Sequence, residues 1–294
     1  MIERCPVCGN HEFIKLHNCK DYTVSGQSFI IVTCGRCGTA ITQDAPAQAE
    51  ISPYYQSENY ISHSDSKTGL FNQLYHTARN FMLRSKCNLV RKVTGRKMGR
   101  LLDIGCGTGY FLHTMQKAGW QTTGIEADPG ARAYAQQKFG LEVQAPEAMS
   151  TLPDAAFQAV SLWHVLEHVH DLEGYLQQIA RVLDPKGALL IAVPNYQSTD
   201  AQHYGAHWAG WDVPRHLWHF SPQSMETLLA KYDFSLMDKR TMPFDPFYVS
   251  LLSEKYRQNS LGFLSGTWQG LRSLVLGWAD VNRSSSVIYV FLKT

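Results

Sequence analysis

The sequence predicts an α/β protein: a largely parallel sheet covered by helices on both faces, preceded by a small module built on cysteines. Three observations carry that prediction. The stretch Leu101-Leu102-Asp103-Ile104-Gly105-Cys106-Gly107-Thr108-Gly109-Tyr110-Phe111-Leu112 is an apolar run ending in an acid, then three alternating glycines, then an aromatic and aliphatic start. It reads as strand, tight loop and helix. Gly187 to Val193 is a continuous apolar run, the pattern of a strand buried on both faces. Cys5-Pro6-Val7-Cys8 and Cys34-Gly35-Arg36-Cys37 form two C-x-x-C pairs.

At 294 residues the chain is long enough for a main domain of about 200 residues and an accessory part. The divisions expected are 1–45, 46–98 and 99–294, the last with inserts at 196–220 and 243–283. A net charge of +2 argues against a surface devoted to nucleic acid. No apolar run approaches the roughly 18 to 20 residues that span a bilayer. The N-terminus opens on Glu3, Arg4 and a cysteine motif instead of a signal peptide, so the expectation is a soluble, cytoplasmic protein. Four of the seven cysteines lie in the two pairs, which fits metal binding in a reducing compartment better than a disulfide frame.

Each C-x-x-C turn aims two thiolates at one point, and Gly9 and Gly38 permit the closing turns. Together Cys5, Cys8, Cys34 and Cys37 complete a tetrahedron suited to zinc, with iron in the same cage or a redox pair as alternatives. Phe29 to Thr33 reads as the strand returning to the second pair, as in a zinc ribbon. Four thiolates leave no open coordination position, so the expected role is to hold together about 45 residues too few for their own core. Cys19 and Cys87 read as ordinary buried thiols.

Alternate glycines tolerate positive φ and remove the Cβ atoms that would keep a nucleotide-sized group off the backbone. A dinucleotide loop wants G-x-G-x-x-G, with the pyrophosphate at a helix N-terminus. Here the third glycine comes one residue early, Tyr110 stands in its place, and Asp103 would repel a pyrophosphate. An adenosine ligand with an ammonium, a sulfonium and no phosphate fits better, which is S-adenosylmethionine. From Asp103 to Gly109 the sequence resembles the glycine-rich motif of class I S-adenosylmethionine-dependent methyltransferases. Gly119 to Asp128 resembles the second half of that signature, a strand ending in Glu126, 23 residues after Asp103. A carboxylate there can accept both ribose hydroxyls. Glu126 alone does not separate this from a Rossmann dehydrogenase; the whole pattern does. The resemblance implies a Rossmann-like class I methyltransferase sheet of six or seven strands, mostly parallel with the last antiparallel. It also implies cofactor contacts at Asp103, Gly105, Cys106, Gly107, Gly109, Glu126, Ala127, Glu147 and Trp163.

Pro53 to Tyr60 is a tyrosine-rich loop, either a lid over cofactor or substrate or simple packing between domains. From Gly69 to Arg96, Leu70, Leu74, Ala78, Phe81, Met82, Val90 and Val93 recur at helical spacing, giving one long or two broken helices with a basic face. Pro129 to Phe139 reads as a helix and Leu141 to Ala145 as the third strand. Glu147 lies just beyond it, where relatives place an acid against adenine, although Pro146 alters the backbone. Ala159 to Trp163 is the fourth strand. His164-Val165-Leu166-Glu167-His168 then matches the inverted zinc-peptidase motif. That motif needs both histidines on one long helix, whereas this segment leaves a buried strand. It resembles instead the Leu-Glu-His stretch of small-molecule methyltransferases that borders the methyl group. His164 reads as a pocket residue, and His168 as orienting a loop or capping the helix from Leu172 to Leu183.

Seven of the twelve histidines lie between 164 and 219, a clustering that marks the insert from Tyr196 to Phe220 as a pocket wall. Arg215 to Pro222 resembles the His-Leu-x-His-Phe-Ser segment of methyltransferases that include relatives of ubiquinone-pathway and sugar O-methyltransferases. Ser221 is the N-cap and Pro222 the first turn of the next helix. A histidine there suits proton removal near neutral pH: His219 first, then His216, then His164. The alternative is that these rings only fix the insert against the sheet. Farther on, Phe234 to Thr241 and Ser285 to Leu292 read as the last strands. Between them Leu264, Trp268, Leu271, Val275 and Trp278 form an apolar helical stripe, expected to pack on its own protein, with a membrane or lipid-like substrate as the alternative.

The function expected is O-methylation of a small molecule, such as a sugar, phenol or lipid-linked intermediate, with a histidine base. Such a transfer needs alignment and exclusion of water. One rival is an RNA methyltransferase docking through the zinc module, since ribosomal RNA methyltransferases pair a zinc finger with this fold. Its basic residues, Lys15, Lys20 and Arg36, are few. The other rival is a non-catalytic nucleoside-binding module.

Overall fold

A computed structural model describes residues 2–55 and 70–294. The chain opens with β1 (Phe13–Lys20), β2 (Ser28–Cys34) and β3 (Ala40–Thr42). The Asp21 carboxylate accepts the Thr23 and Ser25 amides at 3.0 and 2.8 Å and so shapes the β1–β2 turn. After the connector a single helix, α1 (Leu70–Thr94), sets Leu89 and Val90 against the core. Then come β4 (Arg100–Ile104), α2 (Tyr110–Lys117), β5 (Gln121–Ile125), α3 (Pro129–Phe139), β6 (Glu142–Gln144), β7 (Phe157–Trp163), α4 (Leu172–Val182) and β8 (Leu183–Pro194). Asp128 caps α3 by accepting the Ala131 amide, with Pro129 in the first turn. α4 is capped by Asp171, which accepts the Gly174 amide, so His168 is not the cap.

The last third contains α5 (Thr199–Tyr204), β9 (Trp218–His219), α6 (Pro222–Ala230), β10 (Phe234–Thr241), α7 (Asp245–Tyr256), α8 (Gly262–Ala279) and β11 (Ser286–Lys293). Ser221 and Ser224 close a reciprocal capping box at the start of α6.

The main sheet has seven strands in the order β10-β11-β8-β7-β4-β5-β6. β4 to β8 run parallel, and β11 is antiparallel to both its neighbours, as expected for the last strand. Alternate residues feed opposite faces: Leu102, Val160 and Leu189 enter one core, Leu101, Ala159 and Leu190 the other. A second sheet, β1-β2-β3-β9, takes its last strand from the insert, with Ala40 opposite His219 and Ile41 opposite Trp218. The cysteine module and the insert therefore share one sheet across the division at 45.

The apolar stripe on α8 does not pack on its own protein. Phe263, Leu264, Trp268, Val275 and Trp278 are each more than half exposed, because the small residues of the helix take the inner face. Among the described residues no helix is long and apolar enough to cross a membrane.

Candidate active site

β4 ends in a loop tied to the neighbouring strand: the amides of Gly105 and Cys106 both donate to the Ile125 carbonyl, at 2.7 and 3.1 Å. Gly105, Gly107 and Gly109 have φ of 67, 54 and 81°. Their purposes differ. A Cβ on Gly105 would lie 2.3 Å from Val165 Cγ2 and one on Gly109 2.6 Å from Leu141 Cδ1, so both are small for internal packing. A Cβ on Gly107 would meet nothing within 4 Å, so this is the position where backbone faces open space. Glu126 accepts the Gly107 amide on Oε2 at 2.7 Å and the Asp128 amide on Oε1 at 2.9 Å. Each oxygen keeps a lone pair for a ribose hydroxyl.

Asp103 is buried and accepts the Ser161 hydroxyl at 2.6 Å. Burial pushes its carboxyl up to about 7, against the pull of Ser161 and Lys86. Lys86 reaches in from α1, its Nζ 4.1 Å from the Trp163 ring centre, and burial brings it down to about 8. The Trp163 indole N–H is buried without a hydrogen-bond partner among the described residues. Cys106 Sγ fills the space over Gly124, where a Cβ would come within 2.7 Å of it, and burial raises its thiol above the ordinary range. The Ala127 carbonyl accepts Arg132 Nη1 at 2.8 Å. Glu147 is exposed on the short turn Pro146–Thr151 and, with Glu126, bears electrostatically on Tyr175. An open glycine backbone, a ribose-ready carboxylate, a buried acid and an orphaned indole N–H together fit S-adenosylmethionine.

His164 follows Trp163 at the carboxyl end of β7 in the left-handed region, with φ 59°. Its Nε2 is 3.2 Å from Asp245 Oδ2 and its Nδ1 3.4 Å from Glu167 Oε1. Burial disfavours its charge, but the Asp245 and Glu167 carboxylates raise it to about 10, so it is an imidazolium at neutral pH. Glu167 is buried, and neither of its oxygens has a hydrogen bond among the described residues. Burial would raise its carboxyl, but His164, His168 and His216 hold it below the usual range. The ligand atoms of Glu167, His168 and His216 lie within 4.8 Å of one another. Leu166 to His168 is one short turn and not a long helix, so the peptidase arrangement is absent here.

His168 Nδ1 contacts the Tyr55 hydroxyl and the Arg215 carbonyl, each at 3.0 Å, and burial lowers the ring to about 4. Of the tyrosine-rich loop, Tyr54 and Tyr55 thus pack against other segments, while 56–60 lie outside the described residues. His216 Nδ1 is 2.9 Å from the Gly210 carbonyl. His219 Nε2 is 2.9 Å from the Thr42 hydroxyl, with the ring edge-on to Trp211, and burial pulls it well below the usual histidine range. The structure therefore joins His164 to the glycine loop through Val165, and places His219 inside the small sheet. Lys86 and Asp245 went unread in the sequence. Lys86 was one cation among several on a basic helix, although Asp245-Pro246 carried the signal of a helix start.

The four cysteines of the two pairs also converge. Cys5 and Cys37 sulfurs are 3.6 Å apart, Cys8 and Cys34 sulfurs 3.5 Å, and all four lie within 4.8 Å of one another. A zinc ion at about 2.3 Å from each of four sulfurs sets them about 3.8 Å apart, so the quartet fits that ion.

The family model for a methyltransferase domain matches residues 76–239, more than half of the chain. The chain belongs to that family. The chain is 33% identical over 162 residues to the ubiquinone biosynthesis O-methyltransferase of Methylocella silvestris, a match covering 50% of this chain and 62% of the relative. It is 30% identical over 165 residues to the malonyl-acyl-carrier-protein O-methyltransferase of Serratia marcescens, covering 53% and 62%. The chain thus spans less than two thirds of the length of either relative. Among solved structures, it resembles the 1,6-didemethyltoxoflavin-N1-methyltransferase of Burkholderia thailandensis, with bound 1,6-didemethyltoxoflavin and S-adenosylhomocysteine, at TM-score 0.50 and 19% identity over 89% of this chain and 98% of that one. It resembles the cyclase SpnF at TM-score 0.50 and 21% identity over 71% and 80%. These likenesses bear out the class I methyltransferase fold. Since a cyclase shares it, the fold alone does not fix the reaction.

Proposed function

We propose that this methyltransferase transfers the methyl group of S-adenosylmethionine to a hydroxyl of a small acceptor, with Asp245 taking the hydroxyl proton. The observation that carries the reading is His164, held between Asp245 and Glu167 beside the glycine loop. When bound, the cofactor supplies a methyl group already activated on a positively charged sulfur. Gly107 leaves open space for it, Glu126 would accept its ribose hydroxyls, and the Asp103 carboxylate would offset its positive charge. Ligands in such sheets collect at the carboxyl ends of the strands, where β7 delivers Trp163 and His164. An acceptor oxygen becomes strongly acidic as it is methylated, so a carboxylate kept ionised by His164 suffices as proton acceptor. The O-methyltransferase names of the two relatives support a hydroxyl acceptor. His219 and His216, the first choices from sequence, become positioning residues in this reading, since their ring nitrogens already face Thr42 and Gly210. The cysteine quartet would hold a structural zinc.

Incubation with methyl-labelled cofactor and fractionated small-molecule extract tests the reaction. With an acceptor in hand, Asp245→Asn is expected to lower kcat by about a hundredfold or more while S-adenosylhomocysteine binding stays unchanged, and His219→Gln is expected to change kcat far less. Turnover by Asp245→Asn near the wild-type rate would remove Asp245 from the chemistry.

A further inference from the structure

We infer that the α7–α8 hairpin is a membrane-docking element whose outer face lies on the surface of an anionic phospholipid bilayer. α8 is built inside out for a helix in water. Its inner face carries Gly266, Gln269, Gly270, Ser273 and Gly277. The contact is close: a Cβ on Gly270 would come within 2.9 Å of Phe247 Cα, and one on Gly277 within 2.6 Å of Ser284 Oγ. The facing side of α7 buries Ser250 and Ser253. The large apolar side chains point the other way, with Trp268 and Trp278 at 68% and 66% exposure.

A helix folding against a core in water turns its apolar face inward. Small residues at the helix contact with large apolar residues outward is the arrangement of helices in lipid. α8 is not a span, for it has 18 residues interrupted by Gln269 and Arg272. A helix of that kind lies in the interface, its aromatic side chains among the headgroups. Tryptophan, with an apolar ring and a polar N–H, favours that depth.

The charges select the occupant. Residues 261–279 contain no acid, and their single charge is Arg272. Lys255, in the last turn of α7, and Arg257, just after it, are also exposed, Arg257 with Nη2 donating to the His203 carbonyl at 2.6 Å. The acids of α7 are turned away: Asp245 faces His164, and Glu254 is buried against Tyr204 and Asn259. Asp280 is the exposed acid just beyond the helix. A two-fold pairing with a second copy would bring these cations toward their own counterparts, whereas anionic headgroups neutralise them. α7 also begins at Asp245, so one end of the hairpin adjoins the site proposed for the acceptor. An amphiphilic acceptor would then enter from the lipid, a corollary that rests on the proposed reaction, whereas the docking does not.

The test uses the full chain without cofactor, in flotation with phosphatidylcholine vesicles and with vesicles also containing phosphatidylglycerol. The expected result is about tenfold stronger binding to the anionic vesicles, with tryptophan emission shifting to the blue. Trp268→Glu with Trp278→Glu should reduce binding about tenfold while S-adenosylhomocysteine affinity and circular dichroism stay as in wild type. If that variant misfolds, Leu264→Ser with Val275→Ser is the second probe. Failure of the wild type to float overturns the inference. So does flotation that neither variant weakens, or light scattering that shows a dimer split by the same substitutions.

Discussion

Gly105 and Gly107 share a left-handed backbone but stand in different surroundings, which makes their alanine variants separable. At Gly107 the added methyl meets open space, so Gly107→Ala should cost the fold about 1–2 kcal/mol from backbone strain alone and still weaken cofactor binding. At Gly105 the methyl strikes Val165, the residue after His164, so Gly105→Ala should lower stability further and disturb both halves of the site. Calorimetric titration with S-adenosylhomocysteine and thermal melts check both; unaltered binding by Gly107→Ala would move the cofactor off this loop. His164 gives a second prediction at this scale. Its folded pKa is raised from 6.5 to about 10, so its contribution to stability is complete below 6.5 and fades as pH rises through 10. The difference in Tm between wild type and His164→Gln should accordingly be largest near the low end of that window and shrink toward the high end. A difference that grows with pH would mean that Asp245 and Glu167 do not hold the ring charged.

Strand β9 gives the cysteine quartet a reach beyond its own residues. β3 has three residues and β9 two, and a ladder of that length is held in place by what flanks it. On one side stand the two C-x-x-C turns, which a bound metal would close; on the other stand His216 and His219. Removal of zinc by a chelator, or Cys34→Ser, should therefore loosen the insert as well as the N-terminal hairpin. Hydrogen exchange is the direct measurement. Amides of 217–220 are expected to lose protection about tenfold or more, while those of β4, β7 and β8 keep theirs. If the insert amides were indifferent to the metal, β9 would owe its position to the main domain alone.

At the scale of the whole molecule, what could be read from sequence was what local pattern encodes. β8 was legible because both its faces are buried, and α6 because Ser221 and Pro222 mark its start. Contacts between distant segments had no such signal: the pairing of Ala40 with His219, or of His164 with Asp245, depends on register that periodicity does not carry. The α8 stripe shows the limit from another side. Helical spacing tells which residues share a face, not where that face points, and the direction was written in Gly266, Gly270 and Gly277. Arg215 belongs to the same class of long-range fact, and it bears on whether module and domain unfold together. It is 1% exposed, with Nη2 2.6 Å from Asp212 Oδ1 and 3.3 Å from Asp21 Oδ1, and Nη1 2.9 Å from the Tyr54 carbonyl. One guanidinium thus links the β1–β2 turn, the connector and the insert. Arg215→Met would leave Asp21 buried without its counter-charge, and breaking a buried pair in this way costs about 3–5 kcal/mol. The loss should fall on the joint between the two sheets, so differential scanning calorimetry is expected to show one transition for the wild type and two for the variant, the lower one abolished by chelator. A single transition at the wild-type Tm would show that the small sheet is held to the large one by apolar packing and β9 without the clamp.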